Sequence, residues 1–318
     1  MRVVVIGGTG HIGTYLVPRL VQAGHDVVVV SRTQRAPYSS SGAWRSVRTV
    51  AIDRESAEQE GSFGTQIAAL DPDVVLDLIC FTPASAEQIV DALRGRVRHF
   101  LHCGTIWVHG PSMCVPTAED QPRRPIGDYG KNKAAIEELL HSAAQLDGFP
   151  ATVIHPGHIT GRGWVPVNPA GNVNPAVFQQ LADGKPLLLP NNGLATVQHV
   201  HADDVAKMFV AAMANRSVSI GESFHVVAAT ALTLRGYAEA VAGWFGQDAQ
   251  LDYLPWEQWS AQADAADARI TDDHLSHSPH CSMAKAGRLL GFEPRYTSLE
   301  AVHDAVDAML VAGQLVSG

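Results

Sequence analysis

The sequence predicts an α/β fold: a doubly wound parallel sheet with a smaller, discontinuous C-terminal lobe. Two observations lead to this prediction. Short apolar runs alternate with helix-like segments along the first half of the chain, and glycines at positions 7, 10 and 13 directly follow the first run. Uninterrupted apolar runs of this kind are typical of strands buried on both faces of a sheet. Because ligands of open α/β sheets bind at the carboxyl ends of the strands, we expect the functional site at that edge.

The composition is that of an ordinary folded globular protein. Of the 318 residues, 46% are hydrophobic and 17% are charged, and the 23 basic and 32 acidic residues give a net charge of −9. This balance disfavours binding to nucleic acid or to anionic membranes, and no apolar run is long enough to span a bilayer. The first strand begins at the N-terminus, so we expect no signal peptide. The scattered cysteines favour free thiols and a cytoplasmic location.

The first strand, turn and helix carry the pattern of a dinucleotide-binding site. Gly7 permits a tight turn, Gly10 lets backbone approach a pyrophosphate, and Gly13 allows the helix to pack close to the strand. The helix N-terminus adds unpaired N–H groups and the positive end of its dipole. An ordinary glycine-rich turn is the alternative. The predicted cofactor contacts in this segment are Gly7, Thr9, Gly10, His11, Ile12 and Gly13.

The second strand, Val27 to Val30, ends with residues that bear on the choice of cofactor. Ser31 and Arg32 follow it directly, Arg35 is nearby, and no carboxylate is present to repel a phosphate. A guanidinium can bind a phosphate through two hydrogen bonds, so these residues favour NADP over NAD. Solvated surface arginines are the alternative.

A third strand over Val47 to Ile52 ends at Asp53. That carboxylate could accept a hydrogen bond from the adenine amino group, or it could cap the next helix. Further strands follow at Val74 to Ile79, His99 to Cys103 and Ala151 to His155. We expect the dinucleotide-binding domain to comprise residues 1–156 plus about 197–227, and the second lobe about 157–196 plus 228–318.

A tyrosine and a lysine form the second strong motif. Tyr129 and Lys133 open a helical stretch that runs to about Leu146, and their four-residue spacing places both side chains on one face. A nearby ammonium and a cationic nicotinamide would lower the tyrosine pKa from its usual value near ~10. Tyr129 could then move a proton to or from a substrate oxygen while hydride moves to or from the nicotinamide. The alternative is a tyrosine and a lysine on a helix surface.

These motifs together resemble the extended branch of the short-chain dehydrogenase/reductase superfamily, the NAD-dependent epimerase/dehydratase family. The resemblance rests on the glycine spacing, on the Tyr-x-x-x-Lys motif and on shorter matches that cover nearly the whole chain. The shorter matches are Val108-x-Gly110, Pro156-Gly157 with Gly161, His201 to Ala206, and Lys285-Ala286 to Pro294. Two positions depart from the family pattern, because His155 replaces an arginine and Thr160 replaces a tyrosine.

The resemblance implies a Rossmann-type fold, a nicotinamide cofactor and a catalytic set. Matching the chain on Val-x-Gly places Thr105 at the catalytic serine/threonine position, beside Tyr129 and Lys133. Three further cofactor contacts follow from the family pattern: Leu78, Pro156 and Gly157. A homodimer is a possible assembly.

An irregular stretch from Trp164 to Pro175 is the predicted substrate-binding segment. Asn168, Asn172 and Asn174 offer neutral donors and acceptors, and Trp164 offers a flat apolar face, which suits a sugar. A turn-rich connection that uses asparagine for backbone reasons is the alternative. Trp107 and His158 complete the predicted substrate contacts.

The resemblance is weaker where family enzymes bind the diphosphate of an NDP-sugar. The arginine often present four residues before the matched histidine is Val197 here. Arg162, Arg269 or Arg288 could substitute from elsewhere in the chain.

Several histidines were considered as metal ligands, and we expect no metal site. For His199 and His201 we prefer a structural role. His274, His277 and His280 lie with Cys281 in a segment whose serines and proline favour a loop, and they could line the substrate cleft.

Three functional hypotheses follow. The first is an epimerase or dehydratase with tightly held NAD(P) that acts on a sugar or a sugar-like polyol. The second is an NADP-dependent carbonyl reductase or alcohol dehydrogenase that releases its cofactor. The third is a non-catalytic NADP-sensing or RNA-binding relative, and both the intact Thr105, Tyr129 and Lys133 set and the acidic charge count against it.

Overall fold

The computed structural model describes residues 1–32 and 37–316, so the predicted cofactor contact Arg35 lies outside the described residues. The strands are β1 Arg2–Ile6, β2 Asp26–Ser31, β3 Arg48–Ala51, β4 Val74–Asp77, β5 His99–Cys103, β6 Ala151–Pro156, β7 His158–Thr160, β8 Leu187–Pro190, β9 Thr196–Val197, β10 His199–His201, β11 Ser223–Val226, β12 Leu232–Thr233 and β13 Leu251–Leu254.

The α-helices are α1 His11–Gln22, α2 Arg54–Gln59, α3 Phe63–Ala68, α4 Pro83–Leu93, α5 Gly127–Asp147, α6 Ala176–Ala182, α7 Ala202–Ala214, α8 Arg216–Ser219, α9 Leu234–Trp244, α10 Trp256–Ser260, α11 Ala265–His277, α12 Ala284–Leu290 and α13 Ser298–Val311. Two 3-10 helices span Gly42–Ser46 and Ile106–His109.

The central sheet confirms the predicted fold class. Its seven strands are all parallel and lie in the order β11-β6-β5-β4-β1-β2-β3. After β1 the chain forms β2 and β3 on one side of β1. It then crosses the sheet, and β4 pairs with β1 on the other side. The strand order therefore reverses between β1 and β4, and a ligand crevice forms at the carboxyl ends of these two strands.

Side chains alternate between the two faces of the sheet, and each face has its own core. On one face Val3 and Val5 pack with Leu16 of α1 and with helices α7 and α12. On the other face Val4 and Ile6 pack with the residues of α3, α4 and α5. Helices on both faces explain why the strands are continuous apolar runs.

A third apolar core lies in the C-terminal half of the chain. It joins the helices α6, α9 and α13 with the short strands β8 and β9. Residues 284–292 pack instead against the sheet face that contains Val3 and Val5. The sequence-based boundary places these residues in the second lobe. The division of the chain into two lobes at the stated boundaries stays a prediction.

The segment that contains His274 and His277 is helical, contrary to the prediction of a loop. Helix α11 begins after Asp264, whose side chain accepts hydrogen bonds from the backbone N–H groups of Ala266 and Asp267. Pro279 lies two residues beyond the end of this helix, so its missing N–H does not interrupt the helical hydrogen bonds.

The next findings concern membrane insertion, metal binding and disulfide formation. Among residues 1–32 and 37–316, no helix is both long and apolar enough to cross a membrane. Within that same part of the chain, no group of three or more His, Cys, Asp or Glu side chains is placed to hold a metal ion. All four cysteines are free, and Cys80, Cys103 and Cys281 are buried.

Candidate active site

A cavity of about 580 Å³ lies at the point where the strand order reverses. The predicted site residues that line it are Gly7, Gly10, His11, Ile12, Leu78, Thr105, Trp107, Tyr129, Lys133, Pro156, Gly157, His158 and Trp164. Residues that sequence reasoning did not assign to the site also line it, and they include Tyr38, Ile79, Phe81, Val165, Val167 and Val173. His274, which the sequence analysis offered as a residue of the substrate cleft, lines it as well. The cavity therefore joins the glycine turn to the tyrosine motif.

The glycine turn has the geometry that a dinucleotide needs. Gly7 has a φ of +81°, a backbone conformation that side chains disfavour. A Cβ at Gly13 would lie 2.0 Å from the carbonyl oxygen of Gly8, so only glycine lets α1 approach the turn this closely. Helix α1 begins after Gly10, which offers no side-chain cap to the first backbone N–H groups of the helix, and His11 and Ile12 of this first turn line the cavity. These features fit a pyrophosphate.

Thr105 and Tyr129 lie together at the centre of the cavity. Thr105 follows β5, and its hydroxyl accepts a hydrogen bond from the backbone N–H of Trp107. Burial of the Tyr129 hydroxyl raises its pKa to about 12, and a hydrogen bond with Thr105 opposes that rise. Although Tyr129 is 43% exposed as a residue, its hydroxyl end is the buried part.

Lys133 is held in a way that the sequence did not predict. Its Nζ donates hydrogen bonds of 2.7 Å to the backbone oxygens of Cys80 and Cys103, and it lies 5.9 Å from the centre of the Tyr129 ring. Burial lowers the pKa of Lys133. In this structure burial of the phenol raises the Tyr129 pKa, and the lowering expected beside a bound cationic nicotinamide stays a prediction.

A buried chain of polar side chains supports Thr105 from behind. The backbone N–H of Thr105 donates to Nδ1 of His155 at 2.9 Å, and Nε2 of His155 donates to Glu137 at 2.9 Å. Arg123 donates two hydrogen bonds to the same carboxylate, at 2.7 and 2.8 Å. His155 is one of the two residues that depart from the family pattern, and here it connects the turn at Thr105 to α5.

Five predicted cofactor contacts do not line the cavity within the described residues. Thr9 lies in the glycine turn and Gly13 packs α1 against it, whereas Ser31 is buried at the end of β2. Arg32 is exposed. Asp53 caps α2, because its side chain accepts the backbone N–H of Ser56, as the alternative interpretation expected.

The three asparagines predicted to bind substrate bond within the protein instead. Asn168 and Asn172 are buried, and the Asn168 side-chain amide donates to the Asn172 side chain at 2.6 Å. Asn172 also donates to Thr271, and Asn174 donates to Asp267 at 2.7 Å. Their side-chain oxygens accept backbone N–H groups of the same segment. None of the three asparagines lines the cavity, and their side chains shape the loop and anchor it to α11, as the alternative interpretation expected.

Several aromatic rings line the cavity. Trp107 stacks on His277 with 4.2 Å between ring centres and meets Tyr129 edge to face at 5.8 Å. Trp164 stacks on His11 at 5.0 Å, so it lies over the start of α1. The sequence analysis named Trp107 and Trp164 as substrate contacts and offered His274 as a residue that could line the substrate cleft, and all three line the cavity.

The charge of the cavity limits what it can bind. Among the described residues that line it, Lys133 is the only charged side chain. Arg162, Arg269 and Arg288, proposed as substitutes for a diphosphate ligand, do not line it. Arg162 instead pairs with Asp304 at 3.3 Å.

Comparisons with known proteins agree with this architecture. The family model for the NAD dependent epimerase/dehydratase family matches residues 3–226. The chain is 28% identical to the 2'-dehydrokanamycin reductase of Streptomyces kanamyceticus, over 82% of this chain and 71% of the relative. It is 27% identical to the chloroplast stem-loop binding protein of 41 kDa b of Arabidopsis thaliana, over 96% of this chain and 78% of the relative. It is 25% identical to a UDP-glucose 4-epimerase of Mycolicibacterium smegmatis, over 96% and 98%.

Solved structures show the same fold. A dTDP-glucose 4,6-dehydratase from Bacillus anthracis in complex with NAD has a TM-score of 0.76 at 15% identity, covering 99% of this chain and 98% of that one. A UDP-glucuronic acid 4-epimerase from Bacillus cereus in complex with NAD has a TM-score of 0.74 at 18% identity, covering 98% and 99%. With the glycine turn, the tyrosine motif and a family model matched over most of its length, this chain belongs to the NAD dependent epimerase/dehydratase family, enzymes of the extended short-chain dehydrogenase/reductase type that use a nicotinamide cofactor.

Proposed function

We propose that this protein is an NAD(P)-dependent oxidoreductase that interconverts a carbonyl and an alcohol on an uncharged, weakly polar substrate. One observation carries the proposal. The cavity that contains Thr105, Tyr129 and Lys133 beside the glycine turn is otherwise lined by apolar, aromatic and neutral side chains. Away from the glycine turn, such a surface suits a compact organic carbonyl compound, because a phosphate or carboxylate of the substrate would lose its hydration there without gaining an ionic partner.

The residues of the cavity have separate roles in this proposal. The glycine turn and the first N–H groups of α1 would hold the cofactor pyrophosphate, and Pro156 and Gly157 lie where the nicotinamide would be bound. When bound, the nicotinamide supplies or accepts the hydride. The Thr105 hydroxyl orients the substrate oxygen, and Tyr129 gives a proton to that oxygen or takes one from it. Burial raises the pKa of Tyr129, so the phenol is held in its protonated form and can act as the acid in carbonyl reduction.

NADP is the favoured cofactor in this proposal. Arg32 is exposed directly after β2, where a ribose 2′-phosphate would be placed, and the described residues that follow β2 offer no carboxylate at that strand end. Asp53 is not proposed as an adenine ligand, because it caps α2.

Epimerisation or dehydration of a sugar is the second candidate. It is supported by the family itself and by relatives named as UDP-glucose 4-epimerases. The lining counts against a nucleoside diphosphate sugar, because only Lys133 among the described lining residues is a cation and it is already bonded to two carbonyl groups. The relative named as a stem-loop binding protein makes RNA binding a further alternative. The net charge of −9 opposes binding to the negatively charged RNA backbone.

The test begins with the protein as purified. If it carries no cofactor absorbance and consumes NADPH in a one-to-one ratio with ketones or aldehydes, the proposal stands. Tightly retained cofactor, together with conversion of a UDP-sugar without net NADPH consumption, would establish the second candidate instead. RNA binding with no turnover of either substrate panel would contradict both.

A further inference from the structure

We propose that His274 determines substrate specificity by accepting a hydrogen bond from a hydroxyl group on an otherwise apolar cyclic ketone or alcohol. The inference rests on the proposed carbonyl–alcohol chemistry and names the class of compound that the cavity takes. The residue belongs to α11, far in sequence from the catalytic motifs, yet its ring lines the same cavity.

The hydrogen bonds of His274 fix which nitrogen is available. Its Nδ1 lies 2.8 Å from the backbone oxygen of Gly171. A carbonyl oxygen only accepts, so Nδ1 carries the proton and donates. In the neutral ring, Nε2 then has a free lone pair and can only accept. Burial lowers the pKa of His274, which keeps the ring neutral at physiological pH.

Neighbouring rings hold His274 in place. Trp107 meets it edge to face at 5.4 Å between ring centres, and His158 does the same at 4.9 Å. His158 is fixed in turn, because its Nδ1 accepts the backbone N–H of Gln198 at 3.3 Å. His277 stacks on the face of Trp107. An acceptor whose orientation is fixed before binding discriminates between ligands more strongly than a mobile one.

The position of His274 relative to the reacting centre sets the shape of the ligand. Tyr129 and His274 both pack edge to face against Trp107, so a single indole separates the reacting end of the cavity from the acceptor. Val165, Val167 and Val173 add apolar walls. A ligand that fills this space is a one- or two-ring ketone whose hydroxyl lies away from the carbonyl.

The experiment compares matched ketones with and without the hydroxyl. The probes are 4-hydroxycyclohexanone against cyclohexanone, and 6-hydroxy-1-tetralone against 1-tetralone, with NADPH consumption as the readout. We expect kcat/KM to favour the hydroxylated member of at least one pair by about tenfold, the effect of one buried neutral hydrogen bond. His274→Asn keeps a donor near Gly171 but has no atom at Nε2, so the ratio of kcat/KM within each pair, hydroxylated ketone over parent ketone, should fall to about one.

Two further variants make the result specific. His274→Gln can place an amide oxygen near the Nε2 position and should retain part of the preference. His25→Asn makes the same chemical change at a histidine outside the cavity and should leave the preference for the hydroxylated ketone unchanged. A wild-type protein that does not distinguish the paired ketones, or an Asn variant that keeps the preference, would overturn the role of His274.

Failure of the proposed function gives a different result. If none of the four ketones is reduced, the carbonyl chemistry is wrong, and calorimetric binding of the same probes in the presence of NADP decides the inference. Tighter binding of a hydroxylated probe that His274→Asn abolishes would keep the acceptor role, and equal binding of each pair would end it.

Discussion

His155 and Glu137 form a buried hydrogen bond of 2.9 Å that connects the turn at Thr105 to helix α5. The histidine uses its other nitrogen to accept the backbone N–H of Thr105, so one imidazole ring joins the carboxylate to the turn that presents the Thr105 hydroxyl. Burial alone would raise the pKa of Glu137, but His155 and Arg123 together hold it well below its usual range. The folded protein therefore holds Glu137 in its charged form.

Glu137→Gln should destabilise the protein by about 3 kcal/mol, because it leaves Arg123 without its charged partner in a mostly buried site. It should also lower kcat, because the support of Thr105 becomes weaker. Chemical denaturation and steady-state kinetics measure the two effects. Glu138→Gln changes an exposed neighbour on the same helix and should leave both quantities unchanged.

The same carboxylate predicts how stability depends on pH. Because the pKa of Glu137 is lowered on folding, its contribution to stability is present above the unfolded-state value near ~4.3 and is lost as the pH falls below that value. The free energy of unfolding should therefore fall below about pH 4 in the wild-type protein. The decline should be shallower in Glu137→Gln, and parallel curves for the two proteins would contradict this prediction.

Tyr129→Phe should reduce kcat by about a hundredfold or more, because the proton donor to the substrate oxygen is lost. The cofactor Kd should change little, since the phenyl ring remains in the cavity. Fluorescence titration with NADPH and steady-state turnover measure the two parameters. Tyr253→Phe, at an exposed tyrosine of β13, is the matched control. Retained turnover in Tyr129→Phe would be incompatible with the assigned role.

Arg32→Ala should weaken NADP binding by about tenfold and NAD binding much less, because a guanidinium–phosphate contact is lost only with NADP. Arg48→Ala removes an exposed arginine from the neighbouring strand β3 and serves as control. Calorimetric titration of both cofactors gives the comparison. Equal weakening of the two would exclude a phosphate contact at Arg32.

Asn168→Ala should destabilise the fold by about 2 kcal/mol while KM stays near the wild-type value. The buried side chain bonds Asn172 and the backbone at Ala170, so its loss leaves polar groups unsatisfied inside the loop. Asn192→Ala tests an exposed asparagine outside this network. A raised KM with unchanged stability would return Asn168 to the substrate site.

The sequence was most informative where local patterns determine structure. Apolar runs specify buried strands, and the glycines at 7 and 13 are required by one backbone conformation and one close approach. It was less informative where partners come from distant segments. The asparagine loop depends on Thr271 and Asp267, about a hundred residues away, and composition alone could not separate a sugar-binding loop from a hydrogen-bonded turn.

Helix α11 and Lys133 illustrate the same limit. Serines and a proline near His274 favoured a loop, but the Asp264 cap and the position of Pro279 beyond the helix end decide the outcome. The four-residue spacing correctly placed Tyr129 and Lys133 on one helix, yet it contained no information on the carbonyl groups that bind the ammonium.

The attachment of Lys133 to two strand ends affects how mutants of this motif must be interpreted. The oxygens at Cys80 and Cys103 belong to neighbouring segments of the crevice floor, and the ammonium holds them together as a crosslink would. An inactive Lys133→Met enzyme would therefore combine two defects, a missing charge near the phenol and a loosened floor with two carbonyl groups lacking a donor. A cysteine introduced at position 133 can be converted chemically to a side chain that carries an amine of similar length. Comparison of that protein with Lys133→Met would separate the effect of the lost charge from the effect of the two lost hydrogen bonds.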